Sequence, residues 1–140
     1  MVSDGSQASE EKGAETMTAC PFCSWQHNPK LRAVISSELV AFLQHHEPVP
    51  KGAGFIIPAR HAETVFDLTP EESAATQRLL RDVKAWMDAT YHPDGYTVGW
   101  NCGVVGGQEI MHAHLHVIPR FADEPYAGRG IRYLLKQAGV

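Results

Sequence analysis

The 140-residue sequence has no surplus of positive charge, no long apolar run and few cysteines. Twelve Lys and Arg face sixteen Asp and Glu, for a formal net charge of −4. That balance argues against a nucleic-acid partner, since domains held by phosphate contacts are usually basic. No apolar stretch approaches the roughly 20 residues a membrane-spanning helix needs. No basic-then-apolar leader opens the chain, so a membrane partner is not expected. Three cysteines are an odd number, which suits a reducing, cytoplasmic setting better than a disulfide framework. Hydrophobic residues at 44% and charged residues at 20% exclude a wholly disordered chain. The length suits one domain with a self-sufficient core. Histidine is where the composition stands out. Five of the eight fall in two clusters, His45 with His46, and His112 with His114 and His116.

Residues 1–19 are small, polar and acidic. Asp4, Glu10, Glu11 and Glu15 against Lys12 take most of the net charge and leave residues 20–140 at −1. Little in that segment could offset the entropy of ordering it, so it reads as a disordered tail or a leader. Residues 20–140 read as the single folded domain. Residues 32–44 read as two short strands around Ser36-Ser37-Glu38, and residues 54–58 as a buried strand between Gly54 and Pro58. Thr69-Pro70-Glu71-Glu72 has the form of a capping box with proline at the first helical position. Behind it Ala75, Leu79, Val83 and Trp86 recur at helical spacing, with Met87 widening the stripe as core packing. Pro93-Asp94-Gly95 ends that helix, and residues 96–101 give another strand.

Residues 112–120, HAHLHVIPR, sort cleanly only as a strand. Alternation puts His112, His114 and His116 on one face and Ala113, Leu115 and Val117 on the other. A helix would scatter the three imidazoles. Imidazoles gathered this way offer metal binding, proton transfer or nucleophilic attack. Gly103-Val104-Val105-Gly106-Gly107-Gln108 precedes them, and glycine-rich backbone can approach an anion closely. His27 and His92 read as incidental, Cys102 as a small buried residue, and Arg129 and Arg132 as solvated charges.

The stretch NCGVVGGQEIMHAHLHVIPR resembles the signature of the histidine triad (HIT) family. CPFC at 20–23, EPVPKGAGFIIPARH at 47–61, FDLTPEE at 66–72, PDGYTVGWNCG at 93–103 and DEPYAGRGIR at 123–132 follow the order of its bacterial branch of diadenosine polyphosphate hydrolases. The resemblance implies an α+β fold: a five-stranded antiparallel sheet with one long and one short helix, paired as a homodimer. It implies a nucleotide hydrolase or transferase acting at the α-phosphorus of a dinucleoside polyphosphate or nucleotidyl phosphoramidate. His114 would be the nucleophile, and the His112 carbonyl would hold the proton on its other ring nitrogen. His116, Gln108 and the amides around Gly107 would bind phosphate, and Asn101 matches an active-site asparagine. Two positions depart from the family pattern. Ala53 stands where many members have histidine, and the acidic ribose contact falls at Gln44 or His45. Glu109 sits where some members carry Ser or Thr. These departures support a second reading, a nucleotide-binding regulatory module with little catalysis.

Cys20-Pro21-Phe22-Cys23 has the spacing of one thiolate pair for tetrahedral zinc, and a redox disulfide is the competing reading. In zinc-bearing members of the family the set is completed by residues that correspond to His61 and His112. The resemblance therefore implies a structural zinc on Cys20, Cys23, His61 and His112, and a zinc-stabilised interaction domain is a third reading.

Overall fold

The computed structural model describes residues 20–139; the expected N-terminal tail at 1–19 lies outside them. Strand β1 (Leu31–Ser36) turns through residues 37–39 into β2 (Val40–His45), pairing Leu31 with His45 and Ser36 with Ala41. Strand β3 (Gly54–Pro58) returns antiparallel to β2. The long helix α1 (Pro70–Tyr91) then leads to β4 (Gly95–Trp100), β5 (Leu115–Arg120) and a short α2 (Ile131–Gln137). The five strands form one antiparallel sheet in the order β1-β2-β3-β5-β4, with two helices, as expected.

Strand alternation divides the buried residues between the two faces. Val40 and Phe42 of β2, Ile56 of β3, and Leu115 and Val117 of β5 face α1. There they meet Ala75, Leu79, Val83 and Met87, the helical stripe read from the sequence. The neighbours Ala41, Leu43, Phe55 and Ile57 face the other way and pack against Cys20, Phe22 and Leu31. The candidate site residues His114 and His116 lie on this second face. Gly54 begins β3 beneath the Phe42 ring. A Cβ there would come 2.6 Å from that ring and from the Leu43 carbonyl, so only glycine fits.

The capping box is formed in full. Thr69 Oγ1 accepts from the Glu72 amide at 3.0 Å, and Glu72 Oε1 accepts from the Thr69 amide at 2.8 Å. Arg60 donates to both oxygens of the same buried carboxylate, at 3.0 and 2.9 Å. That pair and the capping amide hold the Glu72 pKa below the usual carboxylate range, against the opposing effect of burial. The far end of α1 differs from expectation. The helix stops at His92, which adopts the left-handed conformation at φ 53° and donates its amide to Asp88 O at 3.2 Å. A residue read as incidental is the helix stop.

The histidine strand also starts later than expected. β5 begins at Leu115, and His112 to His114 lie before it. The reason is that both flanking ladders run out there. β4 ends with Trp100 opposite Leu115, and β3 pairs with β5 only as far as Ile56 opposite Leu115. Beyond that point Pro58 has no N–H to offer a ladder. The Ala113 amide instead donates to Ala62 O at 2.7 Å, and His112 Nε2 donates to Pro58 O at 2.8 Å.

Candidate active site and metal centre

His114 is nearly buried beside a cleft of about 430 Å³ on the second face of the sheet. Its Nδ1 donates to the His112 carbonyl at 2.9 Å, because a carbonyl can only accept. Nε2 is then left with its lone pair whenever the ring is neutral. Burial lowers the His114 pKa, outweighing the carbonyl hydrogen bond that raises it. The His116 pKa is lowered as well, first by burial and then by the neighbouring His114. Both effects favour the neutral rings. The rings stand 4.8 Å apart, at 68° to each other. The arrangement offers one bare imidazole nitrogen with a second imidazole beside it, which is the equipment for nucleophilic attack with anion support.

Asn101 and Gly107 line the same cleft with His114 and His116. Gly107 adopts φ +100°, and a Cβ there would meet the Asn101 side chain at 3.5 Å. Gln108 does not join them. Its side chain is buried, with Oε1 accepting from the Gly103 amide at 2.8 Å and Nε2 donating to Glu63 O at 2.6 Å and Ile110 O at 2.9 Å. It is a strut inside the glycine loop. The loop amides are likewise turned inward: Gly106 and Gln108 donate to Gly103 O, and Gly107 donates to Val104 O. The two candidate ribose positions also separate. Gln44 is fully buried and donates to Gly52 O and Tyr91 Oη on the helix face, whereas His45 lines the cleft.

Sequence reasoning missed the apolar walls, Phe22 and Phe55. A signal for Phe55 existed in the register, since it pairs directly with His116 across β3 and β5. Phe22 is carried into the site by the cysteines around it. Lys30 and Asn28, also cleft residues, left no pattern in the sequence.

Next to the triad, Cys20, Cys23, His61 and His112 bring four ligand atoms within 4.8 Å of one another. His61 Nδ1 lies 3.1 Å from Cys23 Sγ, and His112 Nδ1 lies 3.4 Å from Cys20 Sγ and 3.5 Å from Cys23 Sγ. A tetrahedral ion with metal–sulfur bonds near 2.3 Å and metal–nitrogen bonds near 2.0 Å has nitrogen–sulfur edges of about 3.5 Å, so the residues fit a metal. The hydrogen bond from His112 Nε2 to Pro58 O fixes the tautomer that leaves Nδ1 free to ligate. Without a cation the cluster is electrostatically awkward. Burial, with added hydrogen-bond and charge effects from Cys20, pushes the Cys23 thiol up to about 11. Burial brings His112 down to about 4, helped by its neighbours His61 and His114. A bound cation would stabilise the thiolates and the neutral imidazoles together. His112 is fully buried and does not line the cleft. It acts through its ring on the metal side and through its carbonyl on the His114 side.

A HIT domain family model matches residues 26–123, and the chain belongs to that family. An uncharacterized HIT-like protein of Methanocaldococcus jannaschii is 31% identical over 109 residues, 75% of this chain and 81% of that one. Adenosine 5'-monophosphoramidase of Schizosaccharomyces pombe is 29% identical over 114 residues, covering 80% of this chain and 82% of the relative. Among solved structures, a zinc-bound histidine triad family protein from Mycobacterium smegmatis superposes with a TM-score of 0.69 at 22% identity. The match covers 87% of this chain and 96% of that one. No helix among the described residues is long and apolar enough to cross a membrane.

Proposed function

We propose that the protein is a nucleotide hydrolase or transferase acting at an α-phosphorus through a nucleotidyl-His114 intermediate. The observation that carries this reading is the hydrogen bond from His114 Nδ1 to the His112 carbonyl, which leaves Nε2 as a free nucleophile at the cleft. Nε2 attacks phosphorus and forms a P–N bond. The bond from phosphorus to the leaving nitrogen or oxygen breaks, and the departing group takes a proton. Water then attacks the same phosphorus, the P–N bond breaks, and the nucleoside monophosphate leaves with His114 restored. His116 supports a phosphate oxygen. Asn101 and Gly107 border the phosphate, and Gln108 serves by holding the loop in shape. Glu109, also in the cleft, is placed to serve the leaving group.

The substrate class is a dinucleoside polyphosphate or a nucleotidyl phosphoramidate, in line with the activity for which the fission-yeast relative is named. The ion on Cys20, Cys23, His61 and His112 is zinc. It supplies a structural cross-link with no open coordination position, and no step passes through it. The protein pairs as a homodimer, as the family resemblance implies. None of the three cysteines is in a disulfide, which suits a cytoplasmic setting.

One observation favours the regulatory reading. His45 occupies the cleft position where an acidic ribose contact would stand, and the loop amides are spent on the loop itself. Incubation with diadenosine polyphosphates and with an adenosine phosphoramidate decides between the two. Turnover that falls at least about a thousandfold in His114→Ala supports the enzyme. Tight AMP binding without turnover of either substrate supports the binding module.

A further inference from the structure

We infer that Phe22 is a positioning residue through which the four-ligand metal centre sets the orientation of the His114 ring. The inference rests on the proposed role of His114 as nucleophile.

Two routes run from the ligands to that ring. The first is His112 itself, which presents Nδ1 to the cysteines and its carbonyl to His114 Nδ1. The second is Phe22, enclosed between the two cysteine ligands. Its ring meets His112 edge-on at 5.9 Å and 88°, and meets His114 edge-on at 5.1 Å and 73°. Phe55 backs it at 4.8 Å. Phe22 is 4% exposed, so apart from the edge that borders the cleft it is packed. It therefore closes a wedge between the imidazole that ligates and the imidazole that reacts.

The wedge depends on what holds residues 20–24 against the sheet. Apart from the thiol–imidazole contacts of the four ligands themselves, the hydrogen bonds of residues 20–24 are local: the Cys23 amide to Cys20 Sγ, and the Ser24 amide and hydroxyl to Cys20 O. They shape the turn and do not tie it to β3 or β5. The ties across to the sheet are the metal ligands and the Phe22 packing. Loss of the metal leaves the segment held by apolar contacts and weak thiol–imidazole hydrogen bonds, and the Phe22 edge toward His114 is held less firmly. A small misplacement of a nucleophile costs far more rate than stability.

The test uses the zinc-loaded full chain with ¹⁵N-labelled histidine. The His114 Nδ1 proton, assigned by its loss in His114→Ala, is followed by proton exchange in Phe22→Ala and Phe22→Leu at one zinc per chain. Exchange at least about tenfold faster in Phe22→Ala is expected, with Phe22→Leu between it and wild type. On a hydrolysed substrate, kcat falls between about tenfold and about a hundredfold, beyond any change in KM. Stripping zinc from the wild-type chain with a chelator, with the fold checked by circular dichroism, speeds the same exchange. Unchanged exchange in zinc-loaded Phe22→Ala, or in stripped wild type, overturns the inference. If Phe22→Ala does not fold, Phe22→Leu and the stripped wild type carry the decision. A wild-type chain that hydrolyses nothing but keeps metal-dependent His114 exchange would refute the enzymatic reading and leave the positioning role standing.

Discussion

Replacing Gln108 with alanine separates a strut from a phosphate ligand, because the two roles predict opposite results. The side chain is 2% exposed and makes three hydrogen bonds, one accepted from the Gly103 amide and two donated to the Glu63 and Ile110 carbonyls. Each such bond contributes about 1 kcal/mol net, and a buried partner left unpaired costs about 1–3 kcal/mol. Glu63 is exposed, so its carbonyl can turn to water, and the Gly103 amide and Ile110 carbonyl bear most of the loss. The sum comes to about 3 kcal/mol. For a domain of this size that lowers Tm by roughly 10 °C. Thermal and urea unfolding of Gln108→Ala and wild type measure it, with AMP titration alongside. Nucleotide affinity is expected to weaken only in step with disorder of residues 103–108, and to recover at temperatures well below the lowered Tm. A variant as stable as wild type within about 0.5 kcal/mol, with AMP affinity reduced tenfold or more, would refute the strut and restore Gln108 as a direct phosphate ligand.

Other expectations follow from single observations. His92→Gly, at a residue held at φ 53°, should stabilise the fold by about 1 kcal/mol in urea unfolding, because glycine enters the left-handed region without steric cost. Glu72 carries a depressed pKa in the folded state, so its contribution is fully present above the unfolded carboxylate pKa and is lost as pH falls through the folded one. Unfolding free energy of wild type should therefore drop between about pH 5 and pH 3, and that slope should flatten in Glu72→Gln. Metal removal should lower Tm, and added zinc should restore it. Cys23→Ser should abolish the response while His45→Ala keeps it, and an unaltered Tm in chelator would refute the ligand set.

The sheet and the long helix were legible because their signals are local. A short apolar run at residues 54–58 marks a buried strand, and Thr69 with Glu72 marks a helix start within four residues. The cysteine half of the metal set was legible from its spacing and the histidine half only through resemblance, since Cys20 and His112 lie 92 residues apart and no periodicity links them. Two readings meet one physical limit. The family resemblance puts Gln108 against phosphate, and alternation with His114 and His116 puts His112 within the strand. A sequence pattern states which residues could share a face, but the hydrogen-bond partners decide what each one does there. Gln108 finds three backbone partners, at Gly103, Ile110 and the distant Glu63, which take both of its N–H donors and engage its oxygen away from the cleft. His112 finds the Pro58 carbonyl where a ladder would have continued, because proline has no amide to offer. That same failure of the ladder gives the three histidines two different surroundings on one face. From Leu115 onward the backbone is committed to β3 and β4, so His116 is fixed by the sheet. Before it, the chain is free to turn the His112 ring toward the cysteines while its carbonyl stays under His114. Had β5 begun at His112, that carbonyl would have been drawn into the ladder and His114 would have lost the acceptor that fixes its tautomer.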